Sequence, residues 1–291
     1  MAARTWTSLE LLKTTTAYFI ERGRPAGRLA AERLLAHAWG CRRVDLYLRT
    51  EQVIEEPVLE AYRALVRAYG SGQPLQYVEG DAEFLGLTFA VDPRVLVPRP
   101  ETELLVDAVE KRLRPLAGRG TAAVLELGTG SGVIAVALAV HLAHVEVWTT
   151  DASPGAAAVA AGNARRHAVA ERVHILVMDR FEALAPDLAG TMACVVSNPP
   201  YVTTDEMIGL DLVVRDHEPH QALHGGDDGL DFHRYLCTRG LQFLSPGGML
   251  AVEIGHRQGV AATQLFRDAG LADVTLLQDY AGLDRIVLGT R

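Results

Sequence analysis

Cysteine is scarce. The 291-residue chain has three, Cys41, Cys194 and Cys237, far apart and without a CxxC pair. So odd and sparse a set argues against a disulfide framework or a cysteine zinc site. It reads as reduced thiols packed in a core, and no metal is expected. Excess positive charge is also missing. A net charge of −8 is the wrong sign for broad duplex binding, which phosphate contacts dominate, so no direct nucleic-acid binding is expected. The longest apolar run, Val133 to Val140, is far short of the ~20 residues of a membrane span. No long apolar region follows Arg4, so no signal peptide is expected. Repeats and low-complexity tracts are lacking too. The expectation is a cytoplasmic monomer with no membrane association.

What is present is an ordinary globular composition. Hydrophobic residues make up 49% and charged residues 22%, enough to bury a sizeable core in one or two domains. Residues 5 to about 70 carry helical periodicity. Leu9, Leu12, Thr16, Phe19 and Ile20 share a face, and Gly23 ends that element. Pro25 opens a second helix that stops at Gly40. Val44 to Leu48 is a short third piece. A fourth opens at Pro57, a tolerated first-turn position, and stops at Gly70. Ser71-Gly72-Gln73-Pro74 reads as a linker. Phe84 and Leu85 before Gly86, with Leu87, Phe89 and Val91 alternating after it, predict a β-hairpin. Pro100 and the acids after it suit a helix start.

From Ala122 short apolar strands alternate with helices. Strands are expected near 122–127, 145–150, 172–177, 192–197, 248–254, 272–278 and 284–289, and helices near 132–143, 154–168, 228–243 and 257–269. This alternation predicts an α/β fold with a mostly parallel, doubly wound sheet, closed by an antiparallel strand. The segmentation is a helical domain at 1–72, a linker with the hairpin at 73–100, and an α/β domain at 101–291.

The chemistry gathers at strand ends, where open α/β sheets bind ligands. Val195-Val196-Ser197-Asn198-Pro199-Pro200-Tyr201 is a buried-strand run cut off by two prolines, which fix φ and remove two N–H groups. The rigid loop that results offers an amide, free carbonyls and an aromatic face. A planar amide or amino group against Tyr201 can give one N–H to the Asn198 side-chain oxygen and another to the carbonyl near Pro199. Upstream, Glu126-Leu127-Gly128-Thr129-Gly130-Ser131-Gly132 forms a GxGxG turn. It is neither the GxGxxG of dinucleotide sites nor a P-loop, since no GK[ST] follows. Asp151 ends the next strand, about 20 residues on, where an acid can accept both ribose hydroxyls or merely cap the helix at Pro154. Asp179-Arg180-Phe181 ends the third strand and suits an adenine ring, with one hydrogen bond and one stacking face, or is a simple turn with a buried Phe. Together these features describe an adenosine-containing cofactor that is not a dinucleotide.

These motifs resemble the class I S-adenosylmethionine-dependent methyltransferases with an (Asn/Asp)-Pro-Pro-(Tyr/Phe) loop. Further stretches are similar to the HemK/PrmC family of release-factor glutamine methyltransferases: Pro74-Leu75-Gln76-Tyr77, Pro98 to Glu103, Glu218 to Leu223, Gly225 to Leu230 and Glu253-Ile254-Gly255. The resemblance implies a Rossmann-like catalytic domain behind a helical substrate-recognition domain. It implies S-adenosylmethionine as cofactor, with S-adenosylhomocysteine as product, and the glutamine of the Gly-Gly-Gln motif in class 1 peptide-chain release factors as substrate. Cofactor binding falls to Glu126, Gly128, Thr129, Gly130, Ser131, Gly132, Asp151, Asp179, Arg180, Phe181 and Asn198. Catalysis and substrate binding fall to Asn198, Pro199, Pro200 and Tyr201, with Glu218 and Pro219 also on the substrate. Departures are Glu126 where Asp is frequent, Arg180 where an aromatic is common, and His217 before Glu218. Glu101 and Glu103 are either carboxylates near the cofactor or helix-start charges. His217, His220 and His224 read as loop packing rather than metal ligands. Other readings are a ribosomal-protein glutamine methyltransferase, an adenine-N6 DNA methyltransferase, and a non-catalytic binding module.

Overall fold

The computed structural model describes residues 5–24 and 26–291. Pro25, expected to open the second helix, lies outside the described residues. The chain divides into two compact units, one of residues up to Gly80 with Leu212–His217, the other of Asp81–Asp211 with Glu218–Arg291.

The first unit is helical: α1 (Ser8–Glu21), α2 (Gly27–Trp39), α3 (Asp45–Leu48), α4 (Glu56–Gly70) and α5 (Leu75–Glu79). A capping box starts α1, with the Thr7 side chain accepting from the Glu10 N–H while the Glu10 carboxylate takes the Thr7 N–H. Phe19, Leu34, Leu35, Leu46, Leu59 and Tyr62 form its core. The Phe19 ring meets Tyr69 edge-on at 4.8 Å. Helix α5 falls in the stretch read from sequence as a linker. Five residues after a proline carry too little periodicity to announce a helix. Its last residue, Glu79, receives two bonds from Arg33, at 2.8 and 2.5 Å, so it is held by tertiary contacts.

The second unit opens with the expected hairpin, β1 (Asp81–Phe84) and β2 (Leu87–Ala90). Leu85 and Gly86 both take positive φ, 48° and 74°, the pair that a two-residue turn matching the strand twist requires. Then follow α6 (Pro100–Leu113), β3 (Ala122–Leu127), α7 (Val133–His141), β4 (Val145–Asp151), α8 (Pro154–Arg166), β5 (Val173–Val177) and β6 (Met192–Ser197). After α9 (Thr204–Ile208) comes α10 (Leu212–His217), which groups with the helical unit. The chain closes with α11 (Asp231–Thr238), β7 (Leu244–Glu253), α12 (Gly259–Asp268), β8 (Ala272–Gln278) and β9 (Asp284–Thr290). Helices α9 and α10, too short to show a period, were not foreseen.

The seven core strands lie in the order β5-β4-β3-β6-β7-β9-β8, with β3 to β7 parallel and β9 antiparallel to both β7 and β8. The strands in the middle are covered on both faces, which explains their near-continuous apolar runs. One face packs against α6, α7 and the hairpin through Phe89, Leu105 and Leu138; the other packs against α11 and α12 through Leu125, Leu236 and Phe266. Each such Leu contributes ~1.5–3 kcal/mol on burial. Helix α7 is apolar all round because every residue from Ile134 to Ala139 is buried. Chain order reverses between β3 and β6, so the crevice for a ligand opens there.

Candidate active site

A cavity of about 230 Å³ opens at the C-terminal ends of β3, β4, β5 and β6. Its wall includes Glu126, Gly128, Thr129, Gly130 and Ser131 from the end of β3, Asp151 from β4, and Asp179 and Arg180 after β5. Asn198, Pro199 and Pro200 follow from β6, with Pro219 beside them. The features read separately along the sequence thus meet in one place. Four of the named residues do not line it: Gly132, Phe181, Tyr201 and Glu218.

The glycine loop is held from below. The Asp151 carboxylate accepts the Gly130 N–H (2.9 Å) and the Ser153 N–H (2.8 Å). The helix cap that Asp151 could have supplied comes instead from Ser153, whose hydroxyl accepts from the Ala156 N–H at 3.1 Å. Gly132 has φ +82°, and a Cβ there would sit 3.0 Å from the Ala160 Cβ. Its role is to let α7 start against α8. Asn163, fully buried in α8, donates to the Ser131 carbonyl (2.8 Å) and clasps both backbone groups of Ala90. Nothing in the sequence pattern singled it out.

Glu126 is 1% exposed, and among the described residues neither carboxylate oxygen has a hydrogen-bond partner. Burial pushes its pKa up to about 8; the Thr149 hydroxyl offsets this in part, and Asp151 adds to it. Thr149 is itself engaged with Thr129, hydroxyl to hydroxyl at 2.7 Å. A buried acid without a partner is costly unless a donor arrives. In a cavity wall, this is the chemistry of a site for a cationic or N–H-rich ligand group.

At the third strand end, Asp179 is exposed and Phe181 is 4% exposed. The Phe181 ring packs with Tyr235 and Phe243 at 5.8 and 5.4 Å. Phe181 therefore belongs to the core, not to a base-stacking face. Arg180, half-buried, takes the place at the cavity wall instead. It sits at φ +49°, with its guanidinium over the rings of Tyr235 (4.9 Å) and Phe232 (5.4 Å).

The Asn-Pro-Pro-Tyr loop is braced on several sides. Asn198 Nδ2 donates to Thr102 Oγ1 (3.0 Å), and Thr102 Oγ1 donates to Glu253 Oε2 (2.7 Å). Tyr201 Oη donates to Glu253 Oε1 at 3.4 Å, and burial raises its phenol pKa. The Tyr201 carbonyl accepts from Gln258 Nε2 (3.0 Å), while Gln258 Oε1 takes the Gly255 N–H (2.8 Å). Gly225 lies so close that a Cβ would fall 2.5 Å from the Pro200 carbonyl, which accounts for the glycine. Glu218 accepts two bonds from Arg99 (2.7 and 2.8 Å) and the Val97 N–H at 3.3 Å. Only 5% exposed, it fastens the stretch before Pro100 instead of facing a substrate. Glu103 accepts the Leu85 N–H at 2.8 Å and so supports the hairpin turn. His224 Nε2 lies 3.0 Å from Thr204 Oγ1.

A sheet in this order, closed by one antiparallel strand, is the class I methyltransferase fold. The crystal structure of a methyltransferase from Pyrococcus furiosus shares it with a TM-score of 0.51, over 71% of this chain and 90% of that one, at 18% identity. The family "PrmC N-terminal domain" matches residues 10–80, and "Methyltransferase small domain" matches residues 100–215. A release factor glutamine methyltransferase from Geobacter sulfurreducens is 42% identical over 98% of this chain and 96% of its own length. One from Rhodopirellula baltica is 39% identical over 97% and 95%. The chain belongs to the release factor glutamine methyltransferase family.

Proposed function

We propose that this protein methylates the side-chain amide nitrogen of the glutamine in the Gly-Gly-Gln motif of class 1 release factors, using S-adenosylmethionine. It acts as a cytoplasmic monomer without direct nucleic-acid contact. The near full-length match to relatives named for that activity supports the substrate. The match of residues 10–80 to the PrmC N-terminal domain supports assigning substrate recognition to the helical domain, while the hairpin belongs to the second unit rather than to a linker. Among the described residues no helix is long and apolar enough to cross a membrane and no disulfide forms.

One observation carries the chemistry. The Thr102 hydroxyl has a single proton, and it goes to Glu253. Thr102 can therefore only accept from Asn198, whose Nδ2 points to it. Asn198 Oδ1 is left as an acceptor at the cavity wall, where it can take a substrate N–H. The Pro199 carbonyl can take the second amide hydrogen. Holding both hydrogens makes a delocalised amide nitrogen more electron-rich and fixes its direction. Such positioning is worth on the order of 7–11 kcal/mol in well-oriented reactions. No general base is needed, because the proton can leave after transfer.

The wall also fits the cofactor. When bound, S-adenosylmethionine supplies an electrophilic sulfonium methyl and leaves as S-adenosylhomocysteine. The unpartnered Glu126 would receive its ammonium and the Gly128 to Ser131 turn would pass close beneath it. Asp151 would meet the ribose, and Asp179 with Arg180 would meet the base. The test is transfer of labelled methyl to purified release factor, read by peptide mass, beside a factor carrying Gln→Ala in the Gly-Gly-Gln motif. One methyl on that glutamine, absent from the altered factor, is expected. A methyl elsewhere, or none with cofactor bound, would turn the reading toward another glutamine substrate, such as a ribosomal protein.

A further inference from the structure

We propose that Thr102 and Glu253 form a positioning relay that sets the hydrogen-bond polarity of Asn198, an inference that rests on reading Asn198 as the acceptor for a substrate N–H. A side-chain amide can present either end, and nothing in an Asn-Pro-Pro-Tyr loop alone decides which. The decision is made at the far end of two bonds. Ionised Glu253 can only accept. The Thr102 proton therefore points at it (2.7 Å), the Thr102 lone pair faces Asn198 Nδ2 (3.0 Å), and Oδ1 is turned outward. Thr102 is 2% and Glu253 1% exposed, so water does not compete for these bonds.

The polarity depends on the charge of Glu253. The groups facing it are Thr102 and Glu101 from α6, Tyr201 from the loop after β6, and Arg285 from β9, while His233 of α11 donates to its main-chain carbonyl at 3.0 Å. Burial pushes the carboxyl up to about 7; Thr102 lowers it, Glu101 raises it, and Arg285 and Tyr201 lower it. Below that pH a proton on Oε2 can be donated to Thr102. The Thr102 proton is then free to turn to Asn198, which must offer Oδ1 to receive it and presents Nδ2 outward, the wrong polarity for a substrate N–H. The relay thus makes turnover fall as Glu253 is protonated.

The experiment compares kcat, KM for the release factor, cofactor affinity and the pH profile in wild type, Asn198→Ala, Thr102→Val, Thr102→Ser and Glu253→Gln. Thr102→Val keeps the shape and removes the relay, so kcat is expected to drop about a hundredfold with cofactor affinity unchanged. Thr102→Ser restores the rate. Glu253→Gln can still offer a carbonyl to Thr102 but does not titrate, so its kcat profile, taken at cofactor concentrations that saturate at every pH, loses the acid limb that wild type shows near pH 7. The relay is overturned if Thr102→Val turns over like wild type, if Val and Ser are equally slow, or if the limb persists in Glu253→Gln. Should Thr102→Val fail to fold, the Glu253→Gln profile decides alone. Wild type inert on release factor, or Asn198→Ala as active as wild type, would instead overturn the underlying reading of the site, and the relay with it.

Discussion

Glu126 on β3 and Glu253 on β7 stand on the two neighbours of β6, one strand away from the Asn-Pro-Pro-Tyr loop on either side. Both are 1% exposed, and burial raises both pKa values, to about 8 and about 7. Their partners differ. Among the described residues Glu126 has none, whereas Glu253 accepts from Thr102 and Tyr201. A carboxyl left without donors is a socket for something that brings them. One already supplied with donors orients what surrounds it. The β3 side of the cavity is built to bind, and the β7 side to aim.

Substitutions can break that contrast. The largest effect is expected at the aimed group itself: Asn198→Ala should lower kcat by at least about a hundredfold while cofactor affinity holds, measured by single-turnover transfer and calorimetry. Glu126→Gln should do the reverse, weakening cofactor binding by roughly ten- to a hundredfold, the value of a charged hydrogen bond of ~1.5–3 kcal/mol. Its pH dependence follows from the raised pKa. Below about pH 8 the carboxyl must shed a proton to receive a cation, so wild-type affinity should weaken with falling pH and stay flat above, up to tenfold per unit. Glu126→Gln should be flat throughout. The same shift lends the unliganded fold stability that is full below the ordinary 4.5 and lost as pH rises through about 8. A smaller effect is expected at Gln258, which ties the Tyr201 carbonyl to the Gly255 N–H. Gln258→Ala should cost about 1 kcal/mol of stability per lost bond in denaturant unfolding, with a modest fall in kcat. Smallest is Arg180→Ala, which removes a cation from the Tyr235 and Phe232 ring faces and should cost about 0.5–1 kcal/mol of stability in denaturant unfolding.

Much of this was legible along the chain. Strands β3 and β6 fall on the residues their apolar runs marked, because a buried parallel strand needs little but continuity and a stop. The four strand ends that carry polar residues converge because the topology brings every such end to one edge. What could not be read were the braces. Thr102 meets Glu253, and Arg99 meets Glu218, across more than a hundred residues of chain, and no local pattern encodes such a pairing. Phe181 was misplaced for a related reason. Its neighbours Tyr235 and Phe243 come from a distant helix and the turn after it, and they draw the ring inward. Arg180 then holds the place at the cavity wall. Glu218, read as a substrate contact, is an anchor for Arg99.

The division between a binding side and an aiming side is tested most directly by measuring Glu126→Gln and Asn198→Ala in parallel, with cofactor affinity by calorimetry and the methyl-transfer rate at saturating cofactor. The expected result is a crossed pattern: Glu126→Gln loses affinity and recovers rate at saturation, while Asn198→Ala keeps affinity and loses rate. If both variants lose affinity and rate together, the two sides are not separable, and the account of the site is wrong.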